Sequence, residues 1–530
     1  MSSSPPDNLP DEASASRRPG ASPGLTRHAV GGMFWTSSGT SVQAVIQLLV
    51  LMALGRLLSP AEFGLMGAAN VVVALSQIVS RIGVGPAIIQ RRDLETLHVR
   101  VAVTLSCGLG LVLGAVVYFG APTIAAFYRI PDLVPVLRVV AFLFPLDGLN
   151  TVGKSLLSRD LRFRRWVTLD VGSYIIGYAV VGVALAWGGY GVWALVVANL
   201  AQVSLRTVAM YAVTRHSLRP SLDVRTAREL LSYGFGMSLS QITSVVSQQG
   251  DNFVVGRWLG AAALGVYGRA YSLMVMPATG FGRIVNRVLF PLMAQVQDEP
   301  RRLASGYERA CAVVALLTLP ISAFLWVTAP EFIPLVLGPK WAGVIAPFRL
   351  FSISLLFRMS SRISETCVSA AGRVYSQAVF TGAYAALVIV GAIIGQRWGV
   401  GGVAICVSVA MLFNWLSMAW LARSITALPD SRFVRAHAPG AALAVVVGLA
   451  AAAAAHACRT GRLGAVPTLL VSGLAAAGAG LAGTRLFPDV FLGHHGRWAV
   501  KQVEQMVRRV RAPSAAPAAD GLAMGDSTLK

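Results

Sequence analysis

An all-α protein that crosses a membrane many times is the fold class this sequence predicts, and three observations predict it. Hydrophobic residues make up 55% of the 530 positions and charged residues only 13%, about half the roughly 25% of an ordinary soluble domain. Mean hydropathy is +0.65. The apolar residues run continuously in stretches of about 20, the length a helix needs to cross about 30 Å of hydrocarbon, whereas a membrane barrel would show alternating segments of about ten.

The same composition excludes several functions. Lys and Arg number 45 against 23 Asp and Glu, a net charge of +22, which would indicate nucleic acid if the charges shared one polar face. They fall instead in short clusters between apolar runs, so no nucleic-acid partner is expected. Cys107, Cys311, Cys367, Cys406 and Cys458 are scattered within apolar runs and read as packing residues, and the pair His494 and His495 has no Cys or acidic neighbour at ligand spacing. No metal site follows. A Gly-rich phosphate loop ending in Lys-Ser or Lys-Thr is absent, and the loops on the less basic side are short with few acids, so neither direct ATP drive nor an enzyme is expected.

Taken in chain order, residues 1–28 are rich in Ser, Pro and Ala and predict a disordered cytoplasmic tail. No signal peptide is expected, because the first apolar run is too long for one. Fourteen spans follow, at 31–57, 65–90, 100–120, 133–155, 167–187, 190–213, 234–258, 266–292, 307–329, 342–370, 374–396, 400–424, 438–457 and 464–487. They group as a first six-helix bundle over 29–213, a second over 214–424, and two additional helices over 425–487. Residues 488–511 carry an amphipathic basic helix, with Ala499, Val503, Met506, Val507 and Val510 on one face and Lys501, Arg508, Arg509 and Arg511 on the other. That pattern predicts an interfacial helix held to anionic membrane lipid, with a solvated basic tail as the alternative. Residues 512–530 read as a disordered tail.

Basic residues set the orientation. Arg17, Arg18 and Arg27 precede the first span, and further clusters recur after every second one: Arg91, Arg92 and Arg100; Arg159, Arg162, Arg164 and Arg165; Arg215, Arg219, Arg225 and Arg228; Arg301, Arg302 and Arg309; Arg373; Arg423, Arg432 and Arg435. The intervening loops hold far fewer, which places both termini in the cytoplasm.

The string Gly55-Arg56-Leu57-Leu58, with Gly64 and Gly67, recurs as Gly256-Arg257-Trp258-Leu259, with Gly265 and Gly268. The offset is 201 residues at each position, and it also relates Phe34 to Phe235, Val45 to Val246, Gln47 to Gln248, Ala61 to Ala262 and Ala69 to Ala270. Duplication of a six-span unit explains this. An even number of spans makes the repeat parallel, with a substrate path expected at the interface between its halves.

Six further strings carry a family resemblance: Ser59-Pro60-Ala61-Glu62-Phe63-Gly64, Ala87-Ile88-Ile89-Gln90-Arg91-Arg92, Ala126-Phe127-Tyr128, Pro135-Val136-Leu137-Arg138, Leu161-Arg162-Phe163-Arg164-Arg165 and Asp251-Asn252-Phe253-Val254-Val255-Gly256-Arg257. From about residue 30 to 424 the chain resembles the polysaccharide-export branch, with its Wzx-type and teichuronic-acid-type translocases, of the multidrug/oligosaccharidyl-lipid/polysaccharide exporter superfamily. The resemblance implies two six-helix bundles around a central cavity. It also implies flipping of undecaprenyl-pyrophosphate-linked oligosaccharide repeat units across the bacterial inner membrane, for exopolysaccharide, capsule or O-antigen synthesis. A polysaccharide polymerase and export machinery would be further partners. A multidrug exporter of cationic drugs on the same architecture is the alternative.

Candidate site residues are charges within spans, since an ionised side chain at a helix centre costs roughly 2.5–3.5 kcal/mol and should face a cavity or a partner. Arg283 and Arg287 share one helical face, Arg358 and Arg362 repeat that spacing, and Arg81 lies one residue from the repeat position of Arg283. Guanidinium forks suit pyrophosphate oxygens, so these five are the expected substrate-binding cations; a cationic-drug exporter would place acids there. Arg362 has a structural alternative in an ion pair with Glu365, and Arg287 and Arg81 have one in snorkelling to the cytoplasmic surface. Asp251, with Asn252 and Gln248, is the expected ion-coupling group for protons or sodium, with no other cofactor; a hydrogen-bonded structural aspartate is the alternative, with Arg269 as the suspected partner. Asp147 and Asp170 read as structurally paired. The topology has a direct test: reporters that fluoresce only in the cytoplasm should light up when fused at 96, 222 and 430 and stay dark at 189 and 340, and a reversal at any site refutes the span order up to it.

Overall fold

The computed structural model describes residues 42–80, 84–91 and 93–511, with backbone alone at 77–80, 231–242, 277–288, 503 and 506–511. The expected tails at 1–28 and 512–530 lie outside it. Among the described residues there is no strand, as the absence of water in a bilayer core demands: each backbone N–H and C=O must be satisfied within its own segment.

The helices run α1 (Val42–Leu57), α2 (Pro60–Ser80), α3 (Val84–Gln90), α4 (Thr96–Tyr128), α5 (Leu133–Val140), α6 (Leu143–Arg159) and α7 (Phe163–Tyr174). A π-helical stretch, Ile175–Gly182, joins α7 to α8 (Val183–Trp187), and α9 (Val192–Thr214) follows. Next come α10 (Val224–Gln295), α11 (Pro300–Leu337), α12 (Ile345–Ala370), α13 (Val374–Gly395), α14 (Gly399–Thr426), α15 (Asp430–Thr460), α16 (Ala465–Leu486), α17 (Pro488–Phe491) and α18 (Gly493–Arg511). Local chemistry sets several ends. Asp223 accepts from the hydroxyl and the backbone N–H of Thr226, which starts α10 and holds the Asp223 carboxyl below its usual range. Glu62 closes the reciprocal bond onto Ser59 at the start of α2.

Ten helical stretches among the described residues are long and apolar enough to cross a membrane, with Val42–Leu57 and Pro60–Ser76 shorter. Two of the ten double back. In α10 the backbone turns at Gly260, where φ is 84°, and Tyr267 reaches Asp251 across the turn at 2.6 Å. Sixteen residues along a straight helix would hold those groups about 24 Å apart. Between α13 and α14 the turn Gln396–Trp398 does the same, bringing Gly391 onto Cys406 and Gly395 onto Gly402. These ten stretches establish a multi-pass helical protein; the expected fourteen is a finer count than they fix.

Two compact units share the chain. The first takes the residues through Gly280 with 333–347 and 381–410; the second takes 281–332, 348–380 and the residues from Met411 onward. The first unit contains the crossing that explains the repeat. A Cβ on Gly64 would stand 1.7 Å from the carbonyl oxygen of Ala261, and one on Gly265 1.8 Å from that of Pro60. The equivalent glycines of the two halves therefore meet backbone to backbone, as small residues permit between apolar helices. Neighbouring repeat positions seal the same end. Trp341 donates its indole N–H to the Gly55 carbonyl at 2.7 Å, and Arg56 donates to the Leu335 carbonyl at 2.9 Å. In the other half Gly256 abuts the Tyr128 ring, and Arg257 lies over Phe127, 5.1 Å from its centroid.

In the second unit α15 lies on α11, with the Gly440 backbone against Ala315, and α16 completes a small core of Val447, Ala451 and Ala476 under Phe324. Arg459 of α15 clasps buried Glu331 of α11 at 2.8 and 3.0 Å. The start of α18 rests on α11 as well: Gly496 meets Leu316, and Arg309 lies over the Trp498 ring at 5.0 Å.

The crossing predicts a contrast. Gly64→Ala and Gly265→Ala should each lower the melting temperature of the purified protein, since overpacking costs typically 1–3 kcal/mol, roughly. Gly108→Ala on α4, with nothing near its added methyl, should melt at or above the native temperature because Ala is the better helix former. Equal behaviour of the three would remove the crossing from the account.

Candidate functional site

Three polar assemblies lie at depth within the first unit. The first surrounds Asp251, which is 1% exposed. It sits nine residues before Gly260 and so about 13 Å along its helix from the turn. The Tyr267 hydroxyl donates to one carboxylate oxygen at 2.6 Å and the Asn252 backbone N–H to the other at 2.7 Å. The Asn252 amide donates to Gln249 at 3.2 Å, while Gln248 turns outward to Ser244. Of the expected coupling group, then, Asp251 and Asn252 stand together with Gln249, and Gln248 is separate.

Arg269 is not the partner of Asp251. It lies nine residues past Gly260, at the same depth, but it is two residues from Tyr267 on one helix, which places the two side chains on nearly opposite faces. The face that meets Asp251 belongs to Tyr267. The Arg269 guanidinium instead forms the second assembly: it stands over the Phe63 ring at 4.7 Å, with Phe63 held edge-on against buried Trp341 at 5.3 Å. Tyr174 and Tyr178 lie close to it. Their rings stack at 5.0 Å, which the wide π turn beginning at Ile175 promotes by bringing residues four apart nearly into line. Asn199 sits beside Tyr178. Among the described residues no carboxylate pairs with Arg269. Cation over aromatic face recovers part of the hydration the guanidinium gives up and leaves its N–H edges open to an anion.

The third assembly is an ionic knot. Arg206 of α9 reaches Asp147 of α6 at 3.1 Å and Asp170 of α7 at 3.3 Å. Gln43 of α1 donates to the second oxygen of Asp170 at 3.2 Å, and the amide oxygen of Asn150 accepts from Arg206 at 2.8 and 2.9 Å. The structural pairing expected for Asp147 and Asp170 is thus present, through an arginine that sequence reasoning passed over. Its signal was available: Arg206 is a charge inside the sixth apolar run.

In the second unit Arg358 of α12 is half-buried, and its backbone carbonyl accepts from Ser361. Arg362 points outward and pairs with Glu365 at 3.4 Å. The two share a helical face, and both are engaged by neighbouring groups. Arg81 lies outside the described residues, as do the side chains of Arg283 and Arg287 on α10. No group of three or more metal-ligating side chains occurs among the described residues.

Comparison with known proteins follows this geometry. A family model described as polysaccharide biosynthesis protein matches residues 53–346. The teichuronic acid biosynthesis protein TuaB of Bacillus subtilis (strain 168) is 25% identical over 66% of this chain and 73% of its own length. The lipopolysaccharide biosynthesis protein WzxC of Escherichia coli (strain K12) is 26% identical over 63% of this chain and 68% of its own. Among solved structures, that of the lipid II flippase MurJ in an inward closed conformation superposes with a TM-score of 0.69 at 12% identity, covering 86% of this chain and 99% of that one. At that identity the likeness is one of fold.

Proposed function

The chain belongs to the polysaccharide biosynthesis protein family that matches its residues 53–346, and on that premise we propose that it flips lipid-linked oligosaccharide repeat units across a membrane. It is a transporter and not an enzyme: its family, its relatives in teichuronic acid and lipopolysaccharide biosynthesis and its flippase fold agree. The finer reading is a bacterial inner-membrane protein with both termini in the cytoplasm, acting on undecaprenyl-pyrophosphate-linked units for exopolysaccharide, capsule or O-antigen. A polymerase and export machinery receive the product, and α18 rests on anionic lipid.

Arg269 carries the choice of substrate charge. A cation within an apolar helix that lies over a ring and has no carboxylate partner among the described residues favours an anionic headgroup, and it disfavours a cationic drug, which it would repel. The headgroup's phosphates are assigned to Arg269 of the first unit; Arg81, Arg283, Arg287 and Arg358 remain the further cations the sequence offers, and Arg362 is left to Glu365. Release of a sugar at the end sealed by Gly64 and Gly265 requires that crossing to part, so transport alternates between a closed and an open form of it.

Arg269→Ala and Arg358→Ala should each reduce polymer export at least tenfold, roughly, at normal protein abundance. Lys replacements should rescue in part, since Lys keeps the charge and loses the fork. Wild-type export by both alanine variants refutes the headgroup assignment, and dye resistance conferred by the native chain would favour the drug-exporter alternative.

Asp251 is assigned to coupling, with Tyr267 as the group that shares its proton or vacates an oxygen for sodium. In proteoliposomes, Asp251→Asn should stay folded and bind carrier lipid yet no longer respond to an imposed proton or sodium gradient. A normal gradient response would remove Asp251 from the mechanism.

A further inference from the structure

The second unit contains a cleft of about 750 Å³ whose lining includes none of the site residues above. It opens where three helix ends meet: α11 begins at Pro300, α14 finishes at Thr426 and α15 begins at Asp430. The first turns of α11 and α15 are polar and basic and lead into apolar runs, the composition of a segment at headgroup level. The wall carries three arginines, Arg301, Arg302 and Arg432, against one carboxylate, Glu299, and the floor is apolar, formed by buried Ala304 and Leu428.

The arginines are available. Arg301 is exposed and has no ion pair among the described residues. Arg302 grips Glu299 at 2.9 and 3.1 Å, but that pair lies on the exposed surface, where such bridges contribute little and exchange readily for a stronger anion. Arg432 touches buried Glu308 at 3.5 Å, and Glu308 is also reached by His495 at 3.2 Å, so its charge does not depend on Arg432 alone. A fork of guanidinium groups over an apolar floor matches a phosphate with hydrocarbon attached. Directly beside it, α15 turns Val434, Val445 and Leu449 outward on one helical face, each at least 60% exposed, a track along which an acyl chain can lie.

We propose that this cleft binds the phosphate headgroup of an anionic phospholipid of the surrounding membrane, at a site distinct from both the transported substrate and the surface of α18. Organophosphate is the recognised chemistry, and the membrane is its source because only a lipid satisfies the floor and the α15 face as well as the arginines.

The test is a native mass spectrometry titration of the full-length protein with phosphatidylglycerol, phosphatidylcholine and inorganic phosphate. The native chain should retain phosphatidylglycerol and not phosphatidylcholine, and inorganic phosphate at equal concentration should not displace it. The double variant Arg301→Glu with Arg302→Gln, which loses two cations and gains an anion, should bind phosphatidylglycerol at least tenfold more weakly, roughly, at about 1 kcal/mol per surface cation. Both positions are exposed, so its melting temperature should match the native one; if it does not, Arg301→Lys with Arg302→Lys replaces it and should weaken binding to an intermediate degree. Arg508→Gln with Arg509→Gln on α18 should leave binding unchanged. Unweakened binding by the cleft variant, equal loss in the α18 variant, or displacement by inorganic phosphate would each overturn the assignment.

Discussion

Everything in the first unit is arranged around the place where Gly64 and Gly265 pass at backbone contact distance. Between two helices in an apolar solvent there is no hydrophobic gain to draw them together, so close approach must come from dispersion and shape, and a single methyl on either strand of the crossing forbids it. Because the two glycines are equivalent positions of a duplicated segment, one small-residue requirement is met twice by one ancestral solution. The flanking Gly55 and Gly256 then settle onto Leu337 and Tyr128, and the Trp341 indole hydrogen bond finds its carbonyl.

Charges inside the spans are distributed by the same logic of cost. Arg206 spends its guanidinium on Asp147 and Asp170, which makes it architecture. Removing one member of such a half-buried set strands the others, so a knot of this kind constrains helix placement more than it adds net stability. Asp251 accepts from a tyrosine and a backbone amide. Arg269 is held by rings and pairs with no carboxylate among the described residues. Three solutions to one desolvation problem thus leave three different residual chemistries.

Much of this was legible in the sequence because span-forming residues announce themselves by composition. The turn at Gly260 and the one at Gln396–Trp398 fell where apolar runs broke, and the offset of 201 pointed at Gly64 and Gly265 before any contact was known. What stayed illegible was helical phase between partners. Arg269 lies opposite Asp251 in hairpin register and Tyr267 two residues nearer the turn, yet the rotation of the helix about its axis gives the contact to Tyr267. Arg206 was hidden for a related reason: its two aspartates lie 36 and 59 residues away, so no local spacing marks the three as a set.

The π-helical stretch Ile175–Gly182 has a consequence for how its span is numbered against others. Each wide turn absorbs more residues than an α turn, so the chain leaves this stretch with its angular clock set back relative to a regular helix. Positions before Tyr174 and after Val183 therefore obey two different heptad readings. A deletion of one residue inside the stretch would rotate α8 and its exposed Trp187 while leaving α7 in place, which makes this span the one where insertion and deletion, and not substitution, re-aim a side chain.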